Sequence, residues 1–123
     1  MKTLKFRAWG INIKEYLKDA DGNANCVYIL GDLLKQGNWI FEQYTGLKDK
    51  NGKEIYEGDI VKVYAWTNLT RGLEYRHTTK VFWQEKYAQF NTTYNDALSN
   101  EITQDYFEVI GNIHENPELL EDN

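Results

Sequence analysis

Residues 49–66 read Asp49-Lys50-Asn51-Gly52-Lys53-Glu54-Ile55-Tyr56-Glu57-Gly58-Asp59-Ile60-Val61-Lys62-Val63-Tyr64-Ala65-Trp66. Two turn signals, Asn51-Gly52 and Glu57-Gly58-Asp59, flank the short pair Ile55-Tyr56. A run rich in β-branched and aromatic residues follows. Asn-Gly tolerates the positive φ that both central positions of a type I′ hairpin turn require. In the run, Ile60, Lys62, Tyr64 and Trp66 fall on one strand face, and Val61, Val63 and Ala65 on the other. Turns and strands alternating this closely describe antiparallel hairpins and leave no room for a helix.

The same pattern extends in both directions. Leu4–Trp9 alternates as a first strand, with Leu4, Phe6 and Ala8 on one face and Lys5, Arg7 and Trp9 on the other. Ile11–Leu17 extends into a second strand, residues 19–23 form a turn, and Cys26–Leu30 reads as a short buried strand. Leu33, Leu34 and Gln36 allow one helical turn at most, and Trp39–Tyr44 is the next strand. Downstream, a loop over residues 68–72 leads into a long strand, Leu73–Trp83. Tyr87–Tyr94 and Tyr106–Ile113 follow, and Pro117–Leu120 suits a single helical turn with proline at its first position. Seven or eight short strands predict an all-β (mainly β) fold, a small barrel-like or sandwich domain. The chain reads as one domain over residues 1–123. A subdomain cut near Tyr44/Thr45 would separate residues 1–44 from a barrel-like part over 45–116.

Composition points the same way. Aromatics make up 15% of the 123 residues, with nine glycines and one proline, so single rings among polar residues must build the core. Fourteen Lys and Arg against 19 Asp and Glu leave a net charge of −5, which opposes bulk attraction to phosphate or anionic lipid. One cysteine, Cys26, excludes an internal disulfide and a Cys-based zinc cluster. No run approaches the ~18 apolar residues of a membrane helix. A cytoplasmic protein with no membrane partner is expected.

Catalytic motifs fail one by one. Residues 19–30 begin like a calcium loop, but the sixth position is Ala24 and the twelfth Leu30, where glycine and glutamate are needed. His114-Glu115 lacks the second histidine of a zincin, and Pro117 would break its helix. His77 and His114 are separated by at least one strand. The only serine, Ser99, sits in no nucleophile elbow, and no glycine-rich phosphate loop is present. Cys26 lies in an apolar run and reads as an inert core thiol. Asp59 beside a turn glycine reads as a cap for free backbone amides. No catalytic residue, metal ligand or cofactor site is expected.

One distribution stands out. Lys62, Arg71, Arg76, Lys80 and Lys86 face only Glu74 and Glu85 between residues 62 and 86, interleaved with Trp66, Tyr75, His77, Phe82 and Trp83. Residues 101–123 carry seven acids and no Lys or Arg. Trp66, Arg71, Tyr75, Arg76 and Lys80 are therefore the candidate binding residues. Basic grooves with stacking rings hold single-stranded nucleic acid in small barrels. The plainer alternative is the solvated face of a long strand, since even spacing separates Glu74, Arg76, Thr78 and Lys80. Tyr75 and Arg76 are neighbours, so they share a face only if a bulge intervenes.

Three blocks resemble the YopX family of small phage and prophage proteins: Lys5-Phe-Arg-Ala-Trp9, the nineteen residues Gln43–Val61, and Phe107-Glu-Val-Ile-Gly-Asn-Ile-His-Glu-Asn-Pro-Glu-Leu-Leu120. The resemblance implies a β-rich small barrel of a bacterial host's phage and carries over no catalytic residues. Glu-Gly-Asp-Ile-Val also resembles the strand openings of SH3-like barrels, a likeness of fold alone. The expectation is a non-enzymatic interaction module binding a host or phage macromolecule, protein ahead of nucleic acid. The alternative is a single-stranded nucleic-acid-binding barrel. Exposed strand edges also suit a homo-oligomer.

Overall fold

A computed structural model describes residues 5–18, 35, 37–93, 97–99, 103 and 105–121. Its strands are β1 (Phe6–Gly10), β2 (Glu15–Tyr16), β3 (Trp39–Lys48), β4 (Glu54–Tyr56), β5 (Asp59–Thr67), β6 (Gly72–Gln84), β7 (Gln89–Thr92) and β8 (Phe107–Asn112). Single 3₁₀ turns follow at Glu85–Tyr87 and Pro117–Leu120. The molecule is mainly β, and every pairing is antiparallel. Two four-stranded sheets have the orders β2-β1-β3-β4 and β7-β6-β5-β8.

The strand pattern is recovered with shifted ends. The second expected strand shrinks to two residues, because residues 11–14 turn and Lys14 adopts φ 57°. Residue 87 belongs to a 3₁₀ turn rather than a strand, and Ala88 at φ 49° reverses the chain into β7. The readings of residues 19–23, of Cys26–Leu30 and of Leu33, Leu34 and Gln36 lie outside the described residues. β3 runs through Tyr44 and Thr45, and its partner changes there: Trp39–Gln43 pair with β1, Tyr44 and Lys48 with β4.

The Asn51-Gly52 turn differs from expectation. Gly52 has φ 82°, but Asn51 is not among the positive-φ residues. The Gly52 amide donates to the Asp49 carbonyl at 3.0 Å, and Asp49 N–H to the Lys53 carbonyl at 2.8 Å. A type I turn followed by left-handed glycine needs only that one positive φ. Asp49 explains the choice. Its Oδ1 accepts the Asn51 and Lys53 amides, and its Oδ2 accepts the Val109 amide of β8 at 2.8 Å. Lys50 N–H reaches the Phe107 carbonyl. The turn is thereby tied to the second sheet.

The main core gathers Ile55, Val61, Val63, Val81, Phe90 and Phe107, with Leu98, Tyr106 and Val109 against it. Ile55 comes from the first sheet and the others from the second, so β4 is the apolar link between them. A smaller cluster centres on Ala8 with Phe6, Leu17, Trp39 and Phe41.

Candidate functional site

The β5–β6 hairpin carries all five residues singled out from the sequence. β8 pairs with β5 only over Asp59–Val63, and β7 with β6 only over Val81–Gln84. Among the described residues, 64–76 therefore continue as a two-stranded ribbon with no third strand. Its tip is the loop 68–71, with Leu69 96% exposed and Arg71 at φ 52°.

A bulge sets the faces of the ribbon. Val63 pairs with His77 but Tyr64 pairs with Tyr75, so Arg76 is the extra residue. The shift moves Tyr75, and not Glu74, onto the face of Thr78 and Lys80, whose partners are Lys62 and Ile60, and sets it opposite Tyr64. The Tyr75 hydroxyl lies 2.7 Å from Thr78 Oγ1, in agreement with that assignment. Even alternation through Glu74, Arg76, Thr78 and Lys80 therefore does not hold, because the bulge inserts one residue. Thr78 is also buried.

Rings and cations meet on this face. Tyr64 and Tyr75 pack edge to face at 6.3 Å, Lys62 Nζ sits 5.8 Å from the Tyr75 ring, and Lys50 Nζ 5.1 Å from the Tyr64 ring. Trp66 and Tyr75 are about half exposed, and the Trp66 indole N–H donates to Asn68 Oδ1. Arg71, Arg76 and Lys80 are exposed and form no ion pair among the described residues. One acid intrudes: Glu108 of β8 pairs directly with Lys62 and accepts the Tyr64 hydroxyl at 2.9 Å. Burial, and then that bond, raise the Tyr64 phenol.

A second constellation escaped the sequence reading. Arg7, read from the sequence as sharing a face of β1 with Trp9, is buried on that side of the strand, and Ala8 is buried on the other. Arg7 Nε donates to Glu42 Oε1 at 2.8 Å, and its Nη2 lies 2.8 Å from Asp59 Oδ1. The Tyr16 hydroxyl donates to the same Glu42 oxygen at 2.7 Å, and His114 Nε2 stands 3.0 Å from Glu42 Oε2. His114 stacks on Trp9 with ring centres 4.7 Å apart and planes 9° apart. The guanidinium also lies over the Tyr16 and Tyr56 rings. Asp59 Oδ2 accepts the Tyr56 amide at 2.8 Å, so its expected capping of a free backbone amide holds, with an ion pair added.

The titration shifts follow from burial. Desolvation pushes the Asp59 carboxyl up to about 6, with Arg7 and the Tyr56 amide pulling the other way. Burial raises Glu57, takes Tyr56 up to about 12, and lifts the Tyr16 phenol out of reach of neutral pH. Arg7 loses from burial, but Asp59 and Glu42 outweigh that and hold it above its ordinary value. Each group is locked by its neighbours, and Asp59 is only 2% exposed, too closed to touch a substrate directly. The signal for this cluster was a charged residue inside each of two short strands, Arg7 and Glu42. Nothing in their spacing tells which partner each would find. Among the described residues no group of three His, Cys, Asp or Glu is placed to hold a metal ion.

The cluster draws Arg7 and Trp9 from the first block quoted from the sequence, Tyr56 and Asp59 from the second and His114 from the third, while Tyr16 and Glu42 lie outside them. A family model, described as YopX protein, matches residues 5–121. The crystal structure of protein EF1440 from Enterococcus faecalis superimposes with a TM-score of 0.63 at 28% identity, covering 98% of this chain and 99% of that one. No curated protein matches. With a matched region that takes in both the cluster and the ribbon, the chain belongs to the YopX family.

Proposed function

We propose that this YopX-family chain is a non-enzymatic interaction module of phage or prophage type that engages a macromolecule through the outer face of the β5–β6 ribbon. The observation that carries the reading is the set of exposed cations Arg71, Arg76 and Lys80, without an ion pair among the described residues, on the same hairpin as the half-exposed rings of Trp66 and Tyr75. In a chain with 19 acids, counter-ions were available, yet Glu74 is the only acid among residues 64–80. Trp, Tyr and Arg are also the residue types that dominate binding energy at interfaces. An acidic protein segment is the partner this face fits best. The net charge of −5 and the placement of Glu108 beside Lys62 weigh against a long phosphate backbone.

Single-stranded nucleic acid is the second reading, favoured by the bulge at Arg76 that brings Tyr75 to the face of Lys62 and Lys80. Stacked bases are worth about 1–3 kcal/mol each on such rings. The test is salt-gradient elution from immobilised poly-L-glutamate and from immobilised single-stranded DNA. The wild type is expected to be retained on polyglutamate. The variant Arg71→Glu/Arg76→Glu/Lys80→Glu should elute early with its melting temperature intact, since solvated-face changes cost under ~0.5 kcal/mol. Retention on DNA alone selects the second reading, and retention on neither removes both.

A further inference from the structure

A cleft of about 310 Å³ opens beside the Arg7–Asp59 pair, lined by none of the five candidate binding residues of the ribbon. Among the described residues six charged ones wall it, Arg7, Lys18 and Lys53 against Glu15, Asp59 and Glu115, and none of the described lining residues is aliphatic. The floor has a specific deficiency. Arg7 Nε and Nη2 are engaged by Glu42, Asp59 and the Glu57 carbonyl, but Nη1 has no hydrogen-bond partner among the described residues. The residue is only 8% exposed, and it lines the cleft. A nearly buried guanidinium nitrogen left without an acceptor costs free energy that an incoming oxygen recovers.

Charge on the walls decides what that oxygen belongs to. Lys18 and Lys53 form no ion pair among the described residues, and with Arg7 they attract a carboxylate. A bare anion would also meet Glu15 and Glu115, and a bare cation would meet the three basic groups. Only a ligand carrying both signs meets each wall with its complement. Glu15 is likewise unpaired, and Glu115 spends one oxygen on the Asn112 amide, leaving the other for a donor.

We propose that this cleft binds a small zwitterion of the free α-amino acid class. Its carboxylate faces Arg7 Nη1, Lys18 and Lys53, and its ammonium faces Glu15 and Glu115. Calorimetric titration of the whole chain with each free L-amino acid tests it, with acetate and methylammonium as single-charge probes. At least one amino acid is expected to bind saturably, and both single-charge probes about tenfold more weakly or worse. Lys18→Ala/Lys53→Ala should weaken that binding by about tenfold without moving the melting temperature, and Glu15→Gln should weaken it with the carboxylate side intact. Three results would each overturn the proposal: no saturable binding by any amino acid, acetate or methylammonium binding as well as the amino acid, or a double lysine variant that binds like the wild type.

Discussion

Gly52 and Gly58 both hold positive φ, at 82° and 88°, but their surroundings differ. A Cβ on Gly52 would meet open space, whereas one on Gly58 would run into the Glu42 carboxylate. Gly52→Ala therefore exposes the backbone preference alone, about 1–2 kcal/mol. Gly58→Ala adds the displacement of a buried, hydrogen-bonded carboxylate and should cost clearly more. Urea melts of the two variants check this, and equal losses would show that Glu42 moves aside freely. Asp59 gives a pH prediction at the same scale. Its folded value of about 6 lies above the ordinary aspartate value, so between about pH 4 and 6 the folded state binds more proton than the unfolded one. Its contribution to stability is thus greatest below pH 4 and fades as pH rises through 6. Asp59→Asn removes the effect, so the variant should gain on the wild type by on the order of 2–3 kcal/mol across that window. Parallel stability curves for the two proteins from pH 4 to 7 would refute the assignment.

Strands were legible because each carries its own evidence, in β-branched and aromatic residues bounded by turn signals. Val61 and Val63 entered the core and Lys62, Tyr64 and Trp66 stayed on the other face, as alternation required. Alternation failed at Arg76, since a bulge leaves no mark in composition and residues on either side keep strand-like identities. The type of the Asp49–Gly52 turn was misread for a related reason. Its deciding contact, Asp49 to the Val109 amide, is 60 residues distant in sequence. The bulge makes its own prediction. Deleting Arg76 leaves Val63 opposite His77 and Tyr64 opposite Tyr75, so the ladder simply becomes regular. That deletion should cost about 1 kcal/mol or less. Deleting Thr79 instead would throw the buried part of β6 out of register and should abolish cooperative unfolding. Thermal melts followed by circular dichroism compare the two.

At the scale of the molecule, the candidate binding residues were legible as a basic and aromatic run, but the buried charge cluster was not. Arg7 meets Glu42 35 residues on, and Glu42 meets His114 72 residues on, distances at which spacing carries no information. Arg7 is the positive centre of that cluster. Arg7→Ala leaves Glu42 and Asp59 buried without their guanidinium and should cost about 3–5 kcal/mol, while His114→Ala should cost less, since Glu42 keeps Arg7 and Tyr16. Denaturant titration of both variants checks the order, and a milder loss at Arg7 would place the stabilising centre elsewhere. The same cluster also imposes a timetable on synthesis. His114 is made more than a hundred residues after Arg7, at about 5–20 residues per second. The first sheet can pair β1 with β3 in the meantime, but Glu42 lacks its His114 partner and the main core lacks Phe107 until β8 and the segment after it have been made. Nascent chains arrested before residue 114 should therefore remain open to protease, and the domain should close as a late, single step.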